Sequence, residues 1–255
     1  MSQACKIYDY LTHTRNQAAD QALLVGWRHS DEPYQSVILE GILDRGRPAV
    51  ICELVRSYHD FCPEWQQLLQ EKVDSLYSGL RLAAQAPQDQ TRLNCLEIIR
   101  CTRYWRMADV VVTLLRDPVP AVAQQAADTL LDLTRSFDRL QPSAPEEIRI
   151  FQSALQLAVR NYQVHRRSEA IMAAMIRIPA DDPTFWAGEL KPYYEIGKTI
   201  RYILLNYSRP EIARFCVSAL KHPDLYTTAV RAISHLQDPA CLAALAAEVK
   251  FLGYE

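Results

Sequence analysis

Residues 114–133 read LLRDPVPAVAQQAADTLLDL. Leu114 and Leu115 close an apolar run. Pro118 then interrupts it, because Pro has no N–H and cannot continue a helix interior. Asp117 stands where a carboxylate accepts hydrogen bonds from the free amides of a helix start. Beyond the turn, Val119, Val122, Ala126, Leu130, Leu133 and Phe137 recur at helical spacing. The stretch predicts two helices joined by a tight turn, and a connection that short makes them antiparallel.

The same unit recurs. Residues 108–118 (ADVVVTLLRDP) and 213–223 (ARFCVSALKHP) align without a gap. Both show Ala, a largely apolar stretch, a small hydroxyl, an apolar pair ending in Leu, a basic residue, a polar residue and Pro. Small residues follow on the next run: Ala126 and Ala127 in one copy, Ala229 and Ala232 in the other. Val110-Val111-Val112 is the one β-like triplet, and it lies inside a helical run.

Outward from this unit, Pro marks helix starts throughout. Glu32-Pro33, Cys62-Pro63, Asp117-Pro118, Asp182-Pro183, Arg209-Pro210, His222-Pro223 and Asp238-Pro239 each precede an apolar-periodic run. The stripe from Trp65 through Leu68, Leu69, Val73, Leu76, Leu80 and Ala84 predicts one helix of roughly six turns. In all, roughly a dozen helices are expected, most of about 11 to 17 residues. The Pro-rich segments 136–146 and 179–183 are expected to bend the chain or to separate its halves.

The 114–133 stretch resembles a HEAT repeat. ALKHPDLYTTAVRAISHL (219–236) is a weaker copy, and NQAADQALLVGWRHSDEPYQSVILEGIL (16–43) keeps only the helix-turn-helix and the Pro. The family commonly carries Arg early in the second helix, where this chain has Gln124. The resemblance implies an all-α, right-handed α-solenoid of antiparallel helix pairs, one domain over residues 1–255 with roughly five or six pairs. Leu54-Val55-Arg56, Ile98-Ile99-Arg100 and Met175-Ile176-Arg177 repeat one helix ending, and Arg135 takes a similar place. An Arg in a last turn also faces the negative end of the helix dipole.

Composition narrows the function classes. The chain has 255 residues and formal net charge -2, with 28 Lys+Arg against 30 Asp+Glu. That balance demands neither a nucleic acid nor a membrane as partner. The opening MSQACKIYDYLTHTR has no apolar segment of the secretory kind, and no transmembrane run is found. The seven Cys lack CxxC spacing, so reduced, mostly buried thiols and a cytoplasmic protein are expected.

Chemistry-bearing motifs are sparse. GxGxxG, GxxxxGK[ST], GxSxG and HExxH do not occur, and neither does a His-Glu dipeptide. His59 and Cys62 are spaced like two metal ligands, with Glu64 nearby, but no second pair completes a site. No metal or cofactor is expected, and a non-enzymatic role is.

Two places stand out. Arg100, Arg103 and Arg106 interleave with Tyr104 and Trp105. Such a cluster clamps phosphates and stacks bases, or it is a helix end and turn with the aromatics in the core. Arg135, Arg139, Arg166 and Arg167 would extend a basic stripe, and DNA-glycosylase-like proteins of HEAT-like repeats use such a face. The second place is PACLAALAAEVKFL (239–252), nearly apolar all round, where a terminal repeat normally turns a polar face to water. Leu245, Val249 and Leu252 are its candidate contacts. The expected function is a protein-interaction scaffold or adaptor, acting on a protein partner or by self-association through the concave face and this end. The alternative is nucleic-acid binding at 100–106. HEAT-like bilin lyases also exist, but no residue here points to one.

Overall fold

A computed structural model describes residues 3–31, 34–137, 145–180, 185–186, 195–207 and 209–251. The described residues form sixteen α-helices and no strand, so the chain is all-α. It divides into two compact units, Met1–Val110 and Val111–Glu255. Of the two Pro-rich segments expected to break the chain, 138–144 and 181–183 lie outside the described residues.

The first unit holds α1 (Gln3–His13), α2 (Ala18–His29), α3 (Tyr34–Arg45), α4 (Pro48–Arg56), α5 (Pro63–Glu71), α6 (Val73–Ala83) and α7 (Asp89–Thr102). Pro48 and Pro63 occupy the first turns of α4 and α5, where their missing N–H leaves no amide unpaired. α1 packs on α2 and α3, α2 on α3, and α4 on α6 and α7. The expected helix from Pro63 to Ala84 is in fact two. Lys72 leaves helical geometry (φ -106, ψ 31) and its ammonium reaches Asp44 at 2.5 Å. The apolar stripe runs on across the break, with Leu69, Leu76 and Leu80 fully buried, so periodicity alone hides it.

α4 and α6 approach closely because Gly79 has no side chain. A Cβ there would sit on Ile51. Asn94 of α7 closes the unit by donating to the Val55 and Arg56 carbonyls at the end of α4. A buried carbonyl left without a partner costs about 1–3 kcal/mol, so this amide holds α7 in register on α4.

α8 (Ala108–Leu114) carries the boundary between the units, and its Val110-Val111-Val112 is helical. α9 (Pro120–Ser136) follows the Asp117-Pro118 turn, in which Asp117 Oδ1 accepts the Val119 N–H at 2.9 Å. Then come α10 (Pro145–Arg160), α11 (Tyr162–His165), α12 (Ser168–Arg177), α13 (Glu195–Asn206), α14 (Ala213–Ala219), α15 (Tyr226–Ser234) and α16 (Pro239–Phe251). The two aligned stretches take one conformation. α8 and α14 are seven residues each, and each follows a 3₁₀ turn, Trp105–Met107 and Pro210–Ile212.

In the second unit α9 packs on α12, α12 on α13 and α13 on α15. These helices form a row. α10 packs on α12, and α14 on both α15 and α16. The row is seated by small and branched residues: Val122, Ala126, Leu130 and Leu133 in α9, Ala170, Ile171, Ala173 and Ala174 in α12, all fully buried. Each buried Leu or Ile contributes about 1.5–3 kcal/mol, which outweighs the modest helix propensity of segments this short.

Candidate partner-binding site

The Arg-aromatic cluster sits at the end of α7. Tyr104 N–H bonds the Ile99 carbonyl at 3.0 Å and Arg103 N–H bonds the Arg100 carbonyl at 3.2 Å. This is a Schellman ending, and it places Arg103 in the left-handed region (φ 53), a position usually filled by Gly. Tyr104 is buried and donates its hydroxyl to Asp74 at 2.9 Å. Burial, then the Asp74 carboxylate, pushes its pKa up to about 12. Tyr77 meets Tyr104 edge-on at 6.3 Å, and Trp105 is half-buried beneath the Arg106 guanidinium at 5.7 Å.

The charge of this cluster is largely answered. Arg100 pairs with Glu97 at 2.8 Å, and Arg106 lies 3.6 Å from Asp74. Exposed pairs of this kind contribute only about 0–1 kcal/mol, but they cancel the field that would attract an anion. Arg103 is exposed and forms no ion pair among the described residues.

Arg135 and Arg167 lie elsewhere, in the second unit. Arg135 is half-buried between Asp132 (3.8 Å) and Glu211 (3.5 Å). Arg167 donates to Gln124 Oε1 at 2.7 Å and to the Pro120 carbonyl at 3.4 Å, tying the start of α12 to the start of α9. Gln124 thus accepts from an Arg that stands at the head of α12. Arg56, Arg100 and Arg135 each face an acid three residues earlier: Glu53, Glu97 and Asp132. A groove of about 380 Å³ runs past the ends of α9 and α12 to α14 and α16. Arg135, Arg177 and Arg214 line it, but Glu211 and Glu248 stand among them.

The last helix is half covered. Cys241 and Leu245 are buried against α14 and its preceding turn, while Leu242 and Val249 are exposed. Leu252, like Arg139, lies outside the described residues.

Cations with no acid opposite them are found on a surface that sequence reading passed over. α13 buries Ile196, Ile200, Ile203 and Leu204 and turns Lys198, Arg201, Tyr202 and Leu205 outward. Those four follow the spacing of a single helix face. α15 buries Ala229 and Ala232 and exposes Tyr226, Val230 and Arg231. α13 and α15 pack together, and the Arg201 guanidinium bonds the Asp224 carbonyl at the head of α15 at 3.1 Å. Tyr202 and Tyr226 are 55% and 54% exposed, and Tyr202 meets Tyr207 at 6.0 Å. Among the described residues, Lys198, Arg201 and Arg231 pair with no carboxylate. From Glu195 to His235 there are six Lys and Arg and three Asp and Glu. Of the three acids, Glu195 is taken by Arg166 and Glu211 by Arg135, and the third, Asp224, is exposed at the head of α15 and forms no ion pair among the described residues.

No three His, Cys, Asp or Glu among the described residues gather as a metal site, and His59 pairs with Asp60 at 3.3 Å. Cys52, Cys95, Cys216 and Cys241 are buried, and Cys62 and Cys101 are exposed. Burial raises the thiols of Cys52, Cys95, Cys101, Cys216 and Cys241, with Cys101 pushed up to about 11 and Cys216 to about 12. Thiols held protonated at neutral pH are poor nucleophiles. No helix among the described residues is long and apolar enough to cross a membrane. Set against known families, curated proteins and solved structures, the chain matches none.

Proposed function

We propose that each unit is a HEAT-like, right-handed stack of helix pairs, and that the chain is a scaffold that binds a protein partner on its second helices. α9, α12, α13 and α15 are those helices in the second unit. The apolar outer side of α16 is a further docking surface in this reading. The observation that carries it is that α13 exposes Tyr202 and Leu205 while α15, packed against it, exposes Tyr226 and Val230. Exposed Tyr and aliphatic side chains grouped on one surface mark interfaces, because each buries a large area at low conformational cost. The nucleic-acid reading of residues 100–106 has less support, since Arg100 and Arg106 already face carboxylates.

The test compares two baits, the full chain and its Tyr202→Ser/Tyr226→Ser variant. Both side chains are exposed, so melting temperatures should agree. A partner held by the first and lost by the second supports the reading. Identical captured sets refute it.

A further inference from the structure

We infer that the partner segment is acidic as well as apolar: a stretch of another protein whose Asp and Glu residues face Lys198, Arg201 and Arg231 while its apolar side chains cover Tyr202, Tyr226 and Val230. This rests on the partner-binding reading and adds the chemistry of the partner.

The argument is one of charge complementarity. Many cations elsewhere among the described residues are answered close by. Arg28 and Arg56 face Glu53, Arg81 faces Asp109, and Arg100 faces Glu97. On the α13–α15 face they are not. Lys198 and Arg231 are exposed and pair with no described acid, and Arg201 spends one nitrogen on the Asp224 carbonyl. Lys198 and Arg201 stand three residues apart on one face of α13, and like charges so placed repel one another. That arrangement is disfavoured in the free protein and relieved when carboxylates arrive. Tyr202 and Tyr226, with Val230 beside them, give the apolar middle of such a contact, and the cations give its rim. Aliphatic side chains on the same surface favour a polypeptide over a nucleic acid, because Leu205 and Val230 offer bases nothing to stack on.

The experiment is a selection of random peptides on the immobilised full-length protein, followed by binding curves for the selected peptides. They are expected to be rich in Asp and Glu interleaved with apolar residues. Binding should weaken about tenfold or more in Lys198→Glu/Arg231→Glu, about 1.4 kcal/mol or more, and should fall with added salt. It should also be lost in Tyr202→Ser/Tyr226→Ser. Peptides that need the two Tyr but are not acidic, and that ignore the charge reversal, overturn the acidic partner and leave the docking face standing. Failure to select any peptide overturns both. Tighter binding of a single-stranded oligonucleotide than of any selected peptide, abolished by the same reversal, replaces the acidic segment with a nucleic acid.

Discussion

Arg45, the last residue of α3, lies 2.6 Å from Asp20 of α2, with only 6% of its side chain exposed. The same guanidinium donates to the carbonyls of Leu11, Thr12, Thr14 and Asn16. One side chain therefore closes the end of α1, the turn into α2 and the packing of α3. A planar fork with five N–H donors can serve this many acceptors, and a Lys ammonium with three cannot. Arg45→Ala leaves the part-buried Asp20 with only Arg47, 3.9 Å away, and takes a partner from the Leu11, Thr12 and Thr14 carbonyls, which costs about 1–3 kcal/mol. Arg45→Lys should recover only part of it. Urea unfolding measures both, and an Arg45→Lys variant as stable as the wild type would contradict this account.

Gly79→Ala sets two effects against each other. Ala in place of Gly inside a helix favours folding by about 1 kcal/mol. The added Cβ meets Ile51, which is fully buried and lies so close that even its Cα is 3.3 Å away. A flexible side-chain tip would yield, but a backbone atom does not, and overpacking costs about 1–3 kcal/mol. The collision should win and the variant should be less stable. In Ile51→Gly, which removes both the Cγ2 and the Cβ that the added carbon would meet, Gly79→Ala should cost less or become favourable. A double-mutant cycle with no coupling between the two sites would show that α4 and α6 are not in this contact.

How much of this was legible in the sequence differs from place to place. The 108–118 and 213–223 copies were, because Pro and the apolar spacing act within a few residues, and both fold to the same seven-residue helix after a 3₁₀ turn. The break at Lys72 was not, because the apolar stripe continues through it and an ion pair to a distant Asp44 accompanies it. The role of Arg45 was invisible, since its acceptors are backbone carbonyls that any residue supplies. The α13–α15 face left a trace in the spacing of Lys198, Arg201, Tyr202 and Leu205 opposite the Ile stripe. It was masked by the more conspicuous run at 100–106, where Arg100 and Arg106 turn out to face Glu97 and Asp74.

Arg103 holds a left-handed backbone (φ 53) at a position that Gly fills without strain. Its guanidinium forms no ion pair among the described residues, so little is lost with it. Arg103→Gly should raise stability by up to about 1 kcal/mol, visible as a higher melting temperature. Arg166 is the control. It too is left-handed (φ 55), but it pairs with Glu195, so Arg166→Gly should gain less. Equal gains at both sites would mean that the Glu195 pair contributes nothing, and a loss at Arg103 would mean that its side chain is held by a contact of its own.

His165 gives the fold a pH dependence. It is 7% exposed, its Nε2 is 2.8 Å from the Ala158 carbonyl, and its Nδ1 accepts the Arg167 N–H at 3.0 Å. A ring that donates on one nitrogen and accepts on the other is neutral. Burial lowers its pKa, Arg167 and Arg116 lower it further, and the Ala158 bond opposes them without reversing the shift. The unfolded chain, with an ordinary His pKa of about 6.5, therefore takes up a proton at a pH where the folded chain does not. Stability is flat above about pH 7 and falls as pH drops through about 6.5, by at most about 1.4 kcal/mol per pH unit for this one group. His165→Gln keeps a donor for Ala158 and cannot charge, so it should lose that slope. Urea midpoints for the two proteins at about pH 7.5 and about pH 5.5 decide it. If both decline in parallel, His165 is not the group that titrates.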